Sequence, residues 1–351
     1  MKYVSIIIPT YRVEKYICTA IKSVLNQTHK NFELLIIDDG SPDESVKICQ
    51  QFTDDRIKII RQNNRGLAGA RNTGIRHAQG EYIALLDGDD VWLPQKIEKH
   101  INHLESSPNV GVSFSRSAFI NEAGDSLGTY LMPKLKEITP PYLLHENPVG
   151  NGSAAVVRRE VFEAIKFQDN LYGTIEDFYF DEYFRQAEDI ECWLRIAIQT
   201  NWQIEGISEA LTLYRVNSGG LSASLLKQLE YLEKVVEKTR SYAPELIAQW
   251  EGSAKAYQLR YLARSAVRLQ AGSMAVKLIQ RALSMHWRIL LEEPRRTLLT
   301  LVAAYLLWLL PRDFYSQMET IALKMTGATQ KRRILQDQSS QSAHSDFIST
   351  L

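Results

Sequence analysis

No G-x-G-x-x-G turn follows the first apolar run of this 351-residue chain, and it carries no lysine-bearing phosphate loop. The usual glycine-rich cradle for nucleotide phosphates is thereby excluded. Cysteine is scarce: Cys18, Cys49 and Cys192 lie far apart, with no disulfide framework and no metal-ligand rhythm, as fits a reducing compartment. The 7 histidines show no metal-binding spacing either. Net charge is lacking as well, since 41 Lys+Arg balance 41 Asp+Glu, so no global field attracts nucleic acid. No apolar run reaches the roughly 20 residues that span a bilayer; Leu298 to Leu310 stops at about 13. The first residues lack a secretory-signal layout, and a cytoplasmic location is expected.

What is present alternates. Val4 to Ile8 reads as a buried strand, and Val13, Tyr16, Ile17, Ala20, Ile21, Val24 and Leu25 follow at helical spacing. Further strands are expected at Phe32–Ile37, Ile57–Ile60 and Tyr82–Leu86, with Ser41-Pro42-Asp43-Glu44 opening one helix and Leu67–Ala78 forming another. Beyond residue 95 the pattern loosens, with strands expected near 110–115, 154–157 and 211–216 and a helix over 188–198. This order predicts an α/β fold with a mostly parallel sheet flanked by helices. From residue 225 the chain becomes helical, with a helix pair around Ala271-Gly272. Residues 330–351 are polar and serine-rich, and disorder is expected there. The implied domains are 1–220, a helical extension 221–328 and a tail 329–351.

Two of the expected strands end in carboxylates. Asp87-Gly88-Asp89-Asp90 follows Tyr82–Leu86, and Asp38-Asp39-Gly40-Ser41 follows Phe32–Ile37. Acidic strand ends on one sheet suggest one site, because ligands of α/β sheets gather at such ends. Crowded carboxylates repel unless water or a cation neutralises them. A bound diphosphate would also need a cation, and Mg2+ or Mn2+ suits an oxygen-rich site.

Five segments in order resemble family 2 glycosyltransferases over about residues 1–216: Ser5-Ile6-Ile7-Ile8-Pro9-Thr10-Tyr11, Ile21 to Thr28, Asp38 to Asp43, Gly69-Ala70-Arg71-Asn72-Thr73-Gly74-Ile75 and Gly80 to Asp90. Glu188-Asp189, followed by Trp193-Leu194-Arg195, is similar to the family's acidic catalytic motif. The resemblance implies a GT-A fold and an inverting hexosyltransferase that draws on a UDP- or dTDP-sugar. It implies Asp39 on the nucleobase, Thr10 and Tyr11 beside base and ribose, Asp87 toward ribose or metal, and Asp89 as principal metal ligand. Asp189 is then the general base, with Glu188 positioning the site and Arg71 a phosphate or carboxylate partner. Cell-surface glycan or polysaccharide synthesis is the expected setting, with a glycan or lipid-linked acceptor. Two other readings stand beside it, a sugar nucleotidyltransferase and a catalytically silent nucleotide-sugar-binding scaffold. The first would want a lysine-containing glycine loop where Pro9-Thr10-Tyr11-Arg12 stands, and the four aspartates together weigh against the second. Tryptophan and arginine around 287–312 leave two readings for Leu298–Leu310: a buried helix, or a helix in the membrane interface.

Overall fold

A computed structural model describes residues 2–217 and 225–349. The apolar run after the N-terminus forms β1 (Val4–Thr10), followed by α1 (Ile17–Leu25), β2 (Phe32–Asp38), α2 (Ser45–Cys49), β3 (Ile57–Arg61), α3 (Gly66–His77) and β4 (Tyr82–Leu85). Next come β5 (Val91–Trp92), α4 (Lys96–Ser106), β6 (Val110–Ile120), β7 (Ser126–Leu131), α5 (Pro140–His145), β8 (Ala155–Arg158) and α6 (Arg159–Ile165). A hairpin of β9 (Phe167–Asp169) and β10 (Glu176–Phe178) precedes α7 (Glu188–Gln199) and β11 (Gln203–Arg215). Helices α8 (Leu225–Tyr242), α9 (Pro244–Arg268), α10 (Gly272–Met285), α11 (Ile289–Glu292), α12 (Pro294–Leu309) and α13 (Arg312–Ser349) complete the chain.

Every residue of β1 and β2 is buried, as befits strands covered on both faces. The nine-stranded sheet runs β3-β2-β1-β4-β8-β6-β11-β5, with β7 on β6. Pairing is parallel from β3 through β4 and again between β6 and β11; β8 joins the two blocks antiparallel to both. Helix α3 lies on β1 because Gly74 is bare: a Cβ there would come within 2.4 Å of Ile7. Ser41-Pro42-Asp43-Glu44 does not start α2 as expected. Asp43 instead accepts the Ser41 hydroxyl and the Ser45 N–H, tying up the turn before the helix.

The chain divides into two compact units, one of residues 1–138, 148–217 and 326–351, the other of 139–147 and 218–325. The expected boundary at 220 falls outside the described residues. In the helical unit, α9 and α10 form the predicted pair, and Leu259, Leu262, Ala266, Ile279, Ala282 and Leu307 share its core. Short α5 belongs with it, since Glu146 accepts from both Arg260 and Arg296.

The tail, where disorder is expected from composition, lies on α13, which is described to Ser349. Its polar side chains have work in the first unit. The Gln330 side chain exchanges two hydrogen bonds with the Tyr130 backbone at 3.0 and 3.1 Å, and Asp337 pairs with Arg116 at 2.5 Å. Ile334 is buried. Two polar side chains of the tail thus bond to β7 and to Arg116, while most of the other described ones face solvent.

Candidate functional site

Strand β4 delivers Asp87, Asp89 and Asp90, and each meets a different environment. Asp90 is fully buried and structural: Oδ2 accepts the Ser153 hydroxyl at 2.6 Å and Oδ1 accepts the Arg215 N–H at 2.9 Å. Ser153 Oγ in turn accepts the Asp87 N–H at 2.9 Å, so one serine sets the shape of the acidic loop. Asp89 takes 2.6 Å from Asn217 Nδ2 on Oδ2, while its carbonyl accepts from Arg215 Nε at 2.8 Å. Burial, with Asp87 adding repulsion, lifts the Asp89 carboxyl to about 6.

Arg71, on α3, is buried and grips two acids, Asp87 Oδ1 at 2.8 Å and Glu188 Oε1 at 2.7 Å. Desolvation opposes its charge, but Asp87 and Glu188 outweigh it and hold the guanidinium more firmly protonated. Of the two partners expected of Arg71, phosphate or carboxylate, the fold supplies carboxylates to both terminal nitrogens. Gly152 must be glycine beneath it, because a Cβ would sit 2.0 Å from the guanidinium.

Glu188 and Asp189 open α7, after Ala187 turns the chain through φ 60°. Carboxylates in a first helical turn are favoured by the helix dipole. Glu188 is buried and its carboxyl is pushed up to about 7; burial is the largest cause, Arg71 opposes it and Asp189 adds to it. Asp189 is half-buried, and one of its oxygens takes the Ile190 N–H at 2.9 Å. It lies close enough to raise the Arg71 guanidinium electrostatically. Behind them Glu191 binds Arg195 with both oxygens at 3.0 Å, and Arg195 reaches the Ile165 and Tyr179 carbonyls, bracing α7. Trp193 is core.

At the other acidic end, Asp39 is buried and accepts three bonds, from Gln62 Nε2 (2.7 Å), Arg65 N (2.8 Å) and Gly66 N (2.8 Å). It therefore caps α3, and its carboxyl is raised by burial against those bonds. Oδ2 takes one of the three, which leaves acceptor capacity on that oxygen. Asp38 holds the following turn through the Ser41 N–H at 3.0 Å. Thr10 is buried with its hydroxyl turned back to the Ile8 carbonyl, whereas Tyr11 beside it is 41% exposed. Of that pair, Tyr11 offers the accessible surface.

Among the described residues no group of three or more His, Cys, Asp or Glu side chains forms a ready metal site. The acids nevertheless fit a divalent cation. Asp89 is desolvated, repelled by Asp87 and supported by a neutral amide, and Mg2+-type ions are commonly held by one or two carboxylates plus phosphate oxygens. Sequence reasoning missed Gly152, Ser153, Arg215 and Asn217, which shape this loop from 60 to 130 positions away.

The Glycosyl transferase family 2 model matches residues 5–166. The chain is 31% identical over 228 residues to UDP-Glc:alpha-D-GlcNAc-diphosphoundecaprenol beta-1,3-glucosyltransferase WfgD of Escherichia coli, covering 65% of this chain and 82% of WfgD. It belongs to glycosyl transferase family 2. An uncharacterized glycosyltransferase of Rickettsia conorii is 36% identical over 221 residues, 62% of this chain; the chain spans only 33% of that relative's length. Among solved structures, the mannosyltransferase PcManGT from Pyrobaculum calidifontis in complex with GDP-Man and Mn2+ aligns with TM-score 0.54 at 19% identity, over 93% of this chain and 86% of that one. That likeness shows the fold, the α/β GT-A arrangement with a helical C-terminal region. Within this family-2 chain, the residues of G-A-R-N-T-G now have physical roles. Gly69 leaves room for Glu182, Arg71 joins Asp87 to Glu188, and Asn72 accepts the Tyr179 and Phe180 N–H groups.

Proposed function

We propose that this chain is a metal-dependent, inverting glycosyltransferase that moves a hexose from a UDP-type sugar to a hydroxyl of a lipid-linked or cell-surface glycan. The observation that carries the reading is the Asp87–Arg71–Glu188 bridge, which ties the donor end of β4 to the start of α7 where Asp189 stands. Asp39 and Tyr11 would receive the nucleobase and ribose, the base N–H using the acceptor capacity left on Asp39 Oδ2. Asp89, with Asp87, would hold the cation. A divalent cation held there would supply positive charge to balance that of the leaving diphosphate. Asp189 takes the proton of the acceptor hydroxyl. The acceptor oxygen then bonds to the anomeric carbon as the bond from that carbon to the diphosphate oxygen breaks on the opposite face, inverting the centre. Glu188 and Arg71 keep Asp189 and Asp87 in register without contacting the reacting atoms. WfgD, by its name, uses UDP-glucose and a diphosphoundecaprenol-linked acceptor, which supports the donor and acceptor classes proposed.

The test is Asp189→Asn, assayed with UDP-sugars and a GlcNAc-diphospho-lipid acceptor. Turnover should fall on the order of 10²–10⁴-fold, because an amide is no base near neutral pH. UDP affinity should hardly change. Near-normal transfer by the variant would reject Asp189 as the base and turn attention to Glu188. Unmodified protein that binds UDP-sugars yet neither transfers nor hydrolyses them would favour the silent scaffold.

A further inference from the structure

Helix α12 turns apolar residues outward as well as inward, where Leu301, Leu306 and Leu307 meet the helical core. Its buried side carries Thr297, Thr300, Ala304 and Leu307, while Leu298 (49% exposed), Leu299 (71%), Val302 (52%) and Leu309 (66%) face outward. At 3.6 residues per turn these four fall within one arc of about 100°, and Arg295 lies in the same arc at its N-terminal end. An ordinary surface helix would bury the leucines and expose the threonines. The next helix repeats the pattern, since Phe314, Met318, Ile321 and Met325 of α13 are also exposed at helical spacing. Trp287 and Leu291, before α12, are exposed too. Scattered exposed leucines need no explanation, but successive helices that each turn an apolar face outward do.

Charge distinguishes the candidate occupants. Arg281, Arg288, Arg295 and Lys324 are exposed and have no ion-pair partner among the described residues. Two nearby carboxylates are engaged within the unit, Glu293 by Arg260 and Arg296 and Glu292 by His286 and the Tyr257 hydroxyl, while on α13 Glu319 accepts from Gln270 and Asp313 is exposed. Arg281, Arg288, Arg295 and Lys324 thus outnumber the acids Asp313 and Glu319 of α13, and the rim of the apolar face carries an excess of positive charge. A second copy docking face to face would set arginine against arginine. An anionic bilayer matches both the apolar face and the charge, and tryptophan suits the boundary between them. No described helix is long and apolar enough to cross a membrane, so the arrangement is one of lying in the interface.

We propose that α11, α12 and the first turns of α13 seat the protein on an anionic phospholipid surface. Leu298, Leu299, Val302 and Leu309 enter the acyl boundary, with Arg288 and Arg295 at the headgroups. The inference stands apart from the proposed reaction: vesicle binding can fail while transfer persists, and the converse holds.

Cosedimentation of the full chain with phosphatidylcholine vesicles, with and without phosphatidylglycerol, tests it. Binding should require the anionic lipid and weaken in high salt. Leu299→Asp with Val302→Asp should reduce it by at least about tenfold, since two apolar contacts are replaced by charges. Arg288→Gln with Arg295→Gln should reduce it roughly thirtyfold, at about a factor of five per basic residue. These side chains are exposed, so thermal melts of the variants should match the parent. The proposal is overturned by no binding to phosphatidylglycerol vesicles or by equal binding of Leu299→Asp with Val302→Asp. Vesicle-independent dimers dissolved by that pair would overturn it too and make the face a self-association surface.

Discussion

Asp39, just past β2, accepts three hydrogen bonds from its own protein, whereas Asp89, just past β4, takes one from Asn217 and faces Asp87. Both are acids at the ends of parallel-block strands. The first is tied into the fold: it caps α3 and pins residues 62–66, its three hydrogen bonds opposing the burial that raises its carboxyl. The second is held in an unfavourable state, desolvated and next to another carboxylate. A carboxylate that pins a loop of its own protein suits a rigid recognition edge. One that destabilises the fold suits a cation that arrives with the substrate, because binding then relieves a repulsion already present.

The strongest way to break this contrast is Asp89→Ala. Two unit charges about 4 Å apart interact by about 4 kcal/mol at an effective dielectric of 20, so losing this contact should weaken Mn2+-dependent UDP binding by up to the order of 1000-fold. Calorimetry with metal and with chelator measures it. The same variant should melt no lower than the parent without metal, since the Asp87 repulsion is gone. Equal UDP affinity of the parent with and without metal would remove the cation from the mechanism.

Asp39→Asn should behave in the opposite sense. Whichever way the amide turns, its NH2 faces donors at Gln62, Arg65 or Gly66, leaving a buried group unpaired at a cost of about 1–3 kcal/mol. The melting temperature should fall even without ligand, and UDP affinity should fall with it. A variant that melts like the parent yet loses UDP would mean that the carboxylate serves the base alone.

Much of this contrast was legible in the sequence, and part was not. The strands announced themselves because burial on both faces makes them apolar runs, and their acidic ends followed directly. Asp39 and Asp89 look alike in sequence because what separates them is distant: the loop 62–66 in one case, Ser153, Arg215 and Asn217 in the other. Single polar residues in irregular stretches carry no periodicity to read. Gly152, between Asn151 and Ser153 just before the apolar run of β8, was the one local signal, a glycine where the Arg71 guanidinium leaves no room for a Cβ. Arg71 itself looks like a surface cation on a helix, and only the fold buries it between Asp87 and Glu188. In the tail, Gln330 and Asp337 bond to a strand edge and to Arg116, a use that composition does not encode.

Glu188 sharpens the comparison from between the two extremes, since its partner Arg71 is shared with Asp87. Its carboxyl lies at about 7 in the fold against an ordinary 4.5, with burial the main cause. Between those values the native state holds a proton that the unfolded chain has released. Native stability must therefore fall as pH rises through that window, with the loss complete above about 7. Glu188→Gln cannot titrate, so its melting temperature should decline less than the parent's between pH 5 and 7.5. The readout is this slope and not the absolute melting point, because the glutamine also deprives Arg71 of one of its two carboxylates. Asp89 titrates in an overlapping window, from an ordinary 3.8 to about 6, so Asp89→Ala should flatten the lower part of the same curve while Glu188→Gln flattens the upper part. Parallel curves for parent and Glu188→Gln would show that Arg71 already keeps Glu188 ionised at neutral pH. The bridge would then be a complete ion pair, and Glu188 would belong with Asp39 among the carboxylates that the fold ties in.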